Sequence, residues 1–187
     1  MARPSASRLA ACFLVGAVLG TALDAIHVHN GVLVYHGATI GDIGWWVPLQ
    51  FGVVGALVGL AIPVIERSVG VAEPPTWRVD QVVGELMLFA VLYLSTALVS
   101  ADDAGWLTAG LFALAGVRLA LVPTQGDWAY VLLAAVLGPL GEAAVSATGV
   151  FEYVDPDFLG IPYWLPALWA NGGFLLRRLL LPVVSRA

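Results

Sequence analysis

The sequence predicts an all-α membrane protein, a bundle of six transmembrane helices with both termini cytoplasmic. Three observations carry that prediction. Of 187 residues, 60% are hydrophobic and only 11% are charged, and the mean hydropathy is +0.90. A soluble domain carries about 25% charged residues, so this chain could not cover its surface in water. Six stretches are apolar over the length of about 20 residues that a membrane crossing requires. All eight basic residues are arginines, and they fall in alternate connections only.

In order, the spans are expected at about residues 8–26, 44–65, 79–100, 105–122, 128–148 and 161–181. Turn-forming residues separate them: Asn30-Gly31, Glu73-Pro74-Pro75, Asp102-Asp103, Pro123 with Gly126, and Asp155-Pro156. The connections are too short for a soluble domain, so residues 1–187 are expected to form one membrane domain. A signal-peptide reading of the first span fits less well, because its apolar run exceeds the usual ~7–15 residues.

The orientation follows from the arginines. Arg3 and Arg8 precede the first span, Arg67 and Arg78 lie in the second connection, Arg118 closes the fourth span, and Arg177, Arg178 and Arg186 close the sixth. The opposite connections hold histidines and acids, among them His27, His29, His36, Asp42, Asp102, Asp103 and Glu152. The positive-inside rule then places both termini in the cytoplasm.

Several chemistries are excluded or disfavoured. Without lysine there is no P-loop Gly-Lys-Ser/Thr and no Schiff-base lysine. No Gly-x-Ser-x-Gly elbow and no His-Glu-x-x-His occurs, so no catalytic residue is assigned. The single Cys12 forms no intrachain disulfide. His27, His29, His36 and Asp42 are the residues a zinc ion would find most suitable, but they read as polar loop residues, and no metal or cofactor is expected. Nor is nucleic acid, at a net charge of −5.

Polar groups inside spans need a reason to be there. Glu85 lies in the third span, Glu142 in the outer half of the fifth, and Asp24 near the outer end of the first, where it can pair with His27. These acids suit a polar cavity, a proton relay, or bonding to a neighbouring helix. Asn171, followed by Gly172-Gly173, must find a partner on another helix or on a ligand headgroup. Gly138, Pro139 and Gly141 suggest a break in the fifth helix beside Glu142 that would open space for a pocket. Phe89, Tyr93, Trp106 and Phe112 are its candidate apolar walls. Trp45, Trp46, Tyr163 and Trp164 read as an interfacial aromatic belt. Gly16 to Gly20, Gly55 to Gly59 and Ala109 to Ala113 have the small-residue spacing of close helix packing.

Two blocks resemble the INSIG family (insulin-induced gene proteins). One is Trp45-Trp46-Val47-Pro48 with Gly52, Gly55, Val58-Gly59-Leu60 and Pro63. The other is Gly149-Val150-Phe151-Glu152-Tyr153, Pro156-Asp157-Phe158-Leu159, Trp164-Leu165-Pro166 and Gly172-Gly173. The resemblance implies a non-catalytic six-helix bundle holding a lipid or sterol, with Phe89 matching a phenylalanine that lines the family's ligand region. It also implies a small polar residue at Asn171. Two family features are missing: Trp106 replaces a glutamine, and Leu121-Val122-Pro123-Thr124-Gln125 replaces the acidic and basic stretch that serves partner binding in eukaryotic members.

The expected function is therefore non-catalytic binding of a neutral amphipathic lipid (diacylglycerol-like, sterol or hopanoid) by Phe89, Tyr93, Trp106, Phe112, Glu142 and Asn171, as a sensor or regulator. A neutral headgroup is expected because no cation falls inside the spans, and a phosphate would want arginine. The alternative is a proton-coupled transporter using Asp24, Glu85 and Glu142. Expected partners are membrane lipid, a membrane protein met through helix faces, and further copies of the chain. The abundance of Ala, Gly, Val and Arg with no lysine favours a bacterial inner membrane, or the endoplasmic reticulum if the source is eukaryotic.

Overall fold

The computed structural model describes residues 3–99, 101–121 and 124–185. Ser100, Val122, Pro123 and Arg186, which entered the span and arginine assignments, lie outside the described residues. Six helices are long and apolar enough to cross a membrane: α1 (Ala6–His29), α2 (Val47–Ser68), α3 (Val79–Leu98), α4 (Ala104–Leu121), α5 (Asp127–Ser146) and α6 (Leu165–Ser185). The expected all-α six-helix membrane fold is borne out.

The boundaries differ where local chemistry overrides hydropathy. Helix α1 runs on to His29, so His27 and His29 are helical rather than loop residues. Helix α2 starts three residues late. Ile43–Gly44 (β3) pairs with Thr39–Ile40 (β2), and Pro48, in the first helical turn, needs no amide partner there. Helix α6 begins at Leu165, after a turn in which Leu159 and Gly160 adopt positive φ, and continues through Pro182.

Helix α6 is the centre of the bundle. Of its most apolar stretch 72% is buried, against 11–28% for the other five. It is also the least apolar helix, carrying Asn171, Arg177 and Arg178. Lipid accepts apolar side chains as readily as another helix does, so sorting is driven by the polar residues, which must go inside. The other helices turn Leu14, Val18, Leu57, Met87, Val91 and Leu137 outward.

Glycine sets the closest approaches. Gly16 of α1 and Gly55 of α2 meet backbone to backbone, and a Cβ on Gly55 would collide with the Cys12 carbonyl oxygen. A Cβ on Gly173 would stand 2.5 Å from the Tyr130 carbonyl oxygen, so α5 and α6 touch as closely. Arg8 donates to the Val184 carbonyl at 3.0 Å, which puts the start of α1 beside the end of α6. That end is called the terminal end below, and the other the loop end.

At the loop end, Leu33–Tyr35 (β1) pairs antiparallel with Phe151–Tyr153 (β4), in the register Leu33↔Tyr153 and Tyr35↔Phe151. The ladder ties the first connection to the fifth and aims Tyr35 and Tyr153 at the bundle. Trp45 and Tyr163 are exposed, as an aromatic belt requires. Trp164 is not part of that belt: it is buried, edge-on to His27 at 5.3 Å and to Tyr153 at 6.0 Å.

Filling the α1–α2 contact should cost the fold, because the obstructing atoms are backbone. Gly55→Leu is expected to destabilise the protein by about 1–3 kcal/mol, whereas Gly84→Leu, whose Cβ would meet nothing within 4 Å, should be close to neutral. Thermal unfolding of the two variants in the same detergent checks this.

Candidate functional site

A cavity of about 100 Å³ lies inside the bundle between α1, α2, α3 and α6. Its wall is mostly aliphatic, with Phe89 and Tyr93 from α3, and Glu142 is its one charged residue among those described. The Phe89 ring lies against Gly172, where a Cβ would come within 3.2 Å of it. A second space of about 430 Å³ runs between α2, α5 and α6. Phe51, Val54, Glu142, Trp169 and Leu176 face both spaces.

Glu142 is held by two donors. Trp169 Nε1 donates to Oε1 at 2.6 Å, and the Tyr153 hydroxyl makes a short bond to Oε2. Asp24, buried on α1, accepts from the Tyr35 hydroxyl at 2.5 Å. Tyr93 stacks on His27 at 4.0 Å, with Phe89 edge-on to Tyr93 at 5.9 Å. The Thr96 hydroxyl donates to the Tyr93 carbonyl at 2.7 Å, so at 2.8 Å it accepts from His27 Nε2, which puts a proton on that nitrogen. His27 therefore bonds Thr96, not Asp24 as expected from their spacing.

Two tyrosines of the loop-end ladder thus satisfy the two acids. Both phenols are pushed up from the ordinary tyrosine value, Tyr35 by burial and then the Asp24 carboxylate, Tyr153 by burial and then Glu142. They stay neutral and go on donating. Among the described residues no arginine lines either space.

The arginines are gathered at the terminal end. Arg177 is fully buried, with Nε and Nη2 each 2.9 Å from a Glu66 oxygen, Nη1 2.7 Å from Asp127, and Nη2 2.6 Å from the Gln125 carbonyl. Tyr130 adds its hydroxyl to Glu66 at 2.8 Å. Arg178 bridges Asp127 at 3.2 Å and Glu85 at 3.3 Å. Arg118 Nη2 reaches both Glu85 oxygens, at 2.5 and 2.6 Å, and the guanidinium lies 3.8 Å over the Phe174 ring. Three guanidinium groups meet three carboxylates, and the cluster joins α2 to α6 with no net charge.

Several expectations need correction here. Cations do lie inside helices α4 and α6, although each is neutralised and faces away from the two spaces. Asn171 lines neither: it donates to the Leu111 and Ala167 carbonyls at 3.0 Å and accepts from Arg118 at 3.3 Å, a helix-to-helix tie with no hydrogen left for a headgroup. Trp106 is 82% exposed beside a cleft between α3 and α4, and Phe112 also turns outward. Phe89, Tyr93 and Glu142 do converge. The three acids of the transporter reading separate, with Asp24 and Glu142 near the tyrosines and Glu85 among the arginines.

Residues 82–186, more than half of the chain, match the family described as protein of unknown function (DUF2878). The chain belongs to that family. Beyond it, the chain is similar to insulin-induced gene 1 proteins: 26% identical to that of Danio rerio and 29% to that of Homo sapiens, over 86% of this chain. It spans 66% of the length of the fish protein and 60% of the human one. Its structure is similar to that of MvINS, a mycobacterial Insig homolog from Mycobacterium vanbaalenii, with a TM-score of 0.76 at 27% identity, covering 100% of this chain and 99% of the other. A cross-linked MvINS trimer gives 0.77 at 28%, with the same coverage. The resemblance to Insig proteins read from the two sequence blocks is borne out, and this DUF2878 protein is a multi-pass integral membrane protein. Likeness to a mycobacterial protein fits the bacterial membrane expected from composition.

Glu66, Asp127, Tyr35, Tyr153 and Trp169 were not among the expected site residues. Glu66 and Asp127 have a signal in retrospect: acids at helix ends facing a span that holds Arg177-Arg178.

Removing one partner from a buried charge cluster strands the others. Arg177→Met is expected to cost about 3–5 kcal/mol, read as detergent-solubilised unfolding. A loss under about 1 kcal/mol, the range of solvated surface pairs, would mean the cluster is wet. A second expectation concerns alkaline pH. Tyr35 and Tyr153 titrate higher in the folded than in the unfolded chain, where phenols ionise near about 10. Their contribution is complete below that value and is lost as pH rises through it. The unfolding midpoint should fall above about pH 10, and less steeply in Tyr153→Phe.

Proposed function

We propose that this protein is a non-catalytic lipid-binding protein of the Insig type, holding a neutral amphipathic lipid (diacylglycerol-like, sterol or hopanoid) within the bundle. The observation that carries the reading is the composition of the cavity wall: aliphatic side chains, the Phe51, Phe89, Tyr93 and Trp169 rings, and one acid among the described residues, Glu142. An apolar space with a few polar groups orients a ligand by hydrogen bonds and holds it by burial. Glu142 accepts hydrogen bonds from a hydroxyl headgroup. A phosphate or carboxylate headgroup meets another acid and, among the described residues, no arginine. Phe89, implied by the family resemblance, lines this space beside Gly172, as a ligand wall would.

In this reading the output is regulatory. The cavity lies between α6, which touches every other helix of the charge cluster, and α1, α2 and α3, so occupancy shifts the packing of those helices and the faces they offer a neighbour. A further copy of the chain is one such neighbour; the likeness to a protein crystallised as a cross-linked trimer supports an oligomer. We place the terminal end, with its arginines, at the cytoplasmic face.

Mass spectrometry of lipids retained by the purified protein tests the reading. One neutral class should be enriched over bulk membrane composition in the wild type and lost in Phe89→Arg. Leu19→Trp, which fills the same cavity from α1 without adding charge, should lose it too. Retention of phospholipids only, at bulk proportions, would overturn the proposal.

A further inference from the structure

The central cavity alone is too small for the ligand class proposed above, on which this inference rests. Sites for small organic ligands measure about 300–1,000 Å³; the cavity is about 100 Å³. The missing room is next door, in the space of about 430 Å³ between α2, α5 and α6. Five residues line both spaces and so stand between them: Phe51, Val54, Glu142, Trp169 and Leu176.

One of these residues is built to be held in place. The Trp169 indole lies over Gly138 of α5, where any Cβ would overlap the ring. Its far edge reaches Gly172, 3.9 Å from where a Cβ would stand. Its N–H is bonded to Glu142, which the Tyr153 hydroxyl steadies from the loop end. The slot over Gly138 exists because that residue has no side chain, and Gly141 beyond it faces open space. The outer space is bordered by Leu57 and Leu137, both of which are exposed on the bundle surface, so it opens towards the acyl chains. At the terminal end it is closed by Tyr130 bonding across to Glu66.

We propose that the α2–α5 groove is the lateral entrance for the lipid and that Trp169, latched by Glu142, is the door between the groove and the central cavity. Opening takes a side-chain rotation and one broken hydrogen bond, with no separation of helices. The acid that receives the headgroup is then the acid that releases the door, since a hydroxyl bonded to Glu142 replaces the indole N–H. Entry and recognition are one exchange of donors on the same oxygen.

The test uses the full chain in nanodiscs and a diacylglycerol carrying a fluorophore on one acyl chain. Exchange rate and equilibrium affinity are read separately. Trp169→Ala should exchange the probe about tenfold faster, as for loss of one hydrogen bond to a charged group, with affinity changed much less. Trp169→Phe, which keeps a ring but has no N–H, should fall between the two. In a Val58→Cys, Leu133→Cys protein with Trp169 intact, a bifunctional thiol reagent across the groove should slow exchange and retain probe already bound. Unchanged exchange rates in both the Trp169 variants and the cross-linked protein would overturn the door. Failure of the wild type to bind the probe at all would instead overturn the neutral-lipid reading beneath it.

Discussion

Arg177 is a permanently charged side chain with no exposed surface, inside a helix that crosses a membrane. In hydrocarbon that is tolerable only if each guanidinium nitrogen finds an acceptor and the charge is cancelled. Glu66 from α2, Asp127 from α5 and the Gln125 carbonyl supply both. The requirement fixes the rest of the bundle. Helix α6 must be central because it carries two such residues. Helices α2 and α5 must present their terminal-end acids to it, and α3 and α4 must close around Arg178 and Arg118 through Glu85. The least apolar helix is thereby the organising one, an inversion of what a soluble core would show.

The two ends of the bundle solve the same problem differently. At the terminal end charge is cancelled by charge. At the loop end there is no arginine among the residues that touch Asp24 and Glu142, and the donors are phenols and an indole. Neutral donors leave the acids as acceptors, whereas guanidinium groups consume their partners. A ligand hydroxyl can compete with an indole N–H for Glu142; it could not displace Arg118 from Glu85. Acids held only by neutral donors therefore lie at one end, and at the other the ion pairs join α2 to α6.

The six spans and the shared end of all described arginines were legible because both depend on residue type along a line: apolar length for the helices, sign of charge for the connections. Phe89, Tyr93 and Glu142 were legible in part, the first through family resemblance and the others as conspicuous residues inside spans. Trp106 and Phe112 stand apart from the central cavity, and sequence could not show it, because an aromatic residue on a transmembrane helix carries no mark of which face meets lipid. Asn171 was ambiguous for a related reason. An amide must be satisfied, but sequence does not say by what, and here Leu111 and Arg118 reach it first. Glu66 and Asp127 looked like ordinary helix-end acids until α6 brought Arg177 to them.

The β1–β4 ladder was invisible for a different reason. Three-residue strands leave no periodicity, and these two lie at opposite ends of the helical sequence. Yet the ladder delivers Tyr35 to Asp24 and Tyr153 to Glu142. Its register matters as much as its existence: a slip of one residue reverses which side chains face the bundle, putting Val34 and Glu152 where the phenols are. Asp24 would then lose its phenol donor and Glu142 would keep only the Trp169 indole, with a third acid beside them. The pairing of Leu33 with Tyr153 is thus what makes an acid in an apolar cavity affordable, and the connections outside the spans determine the polarity of the space inside them.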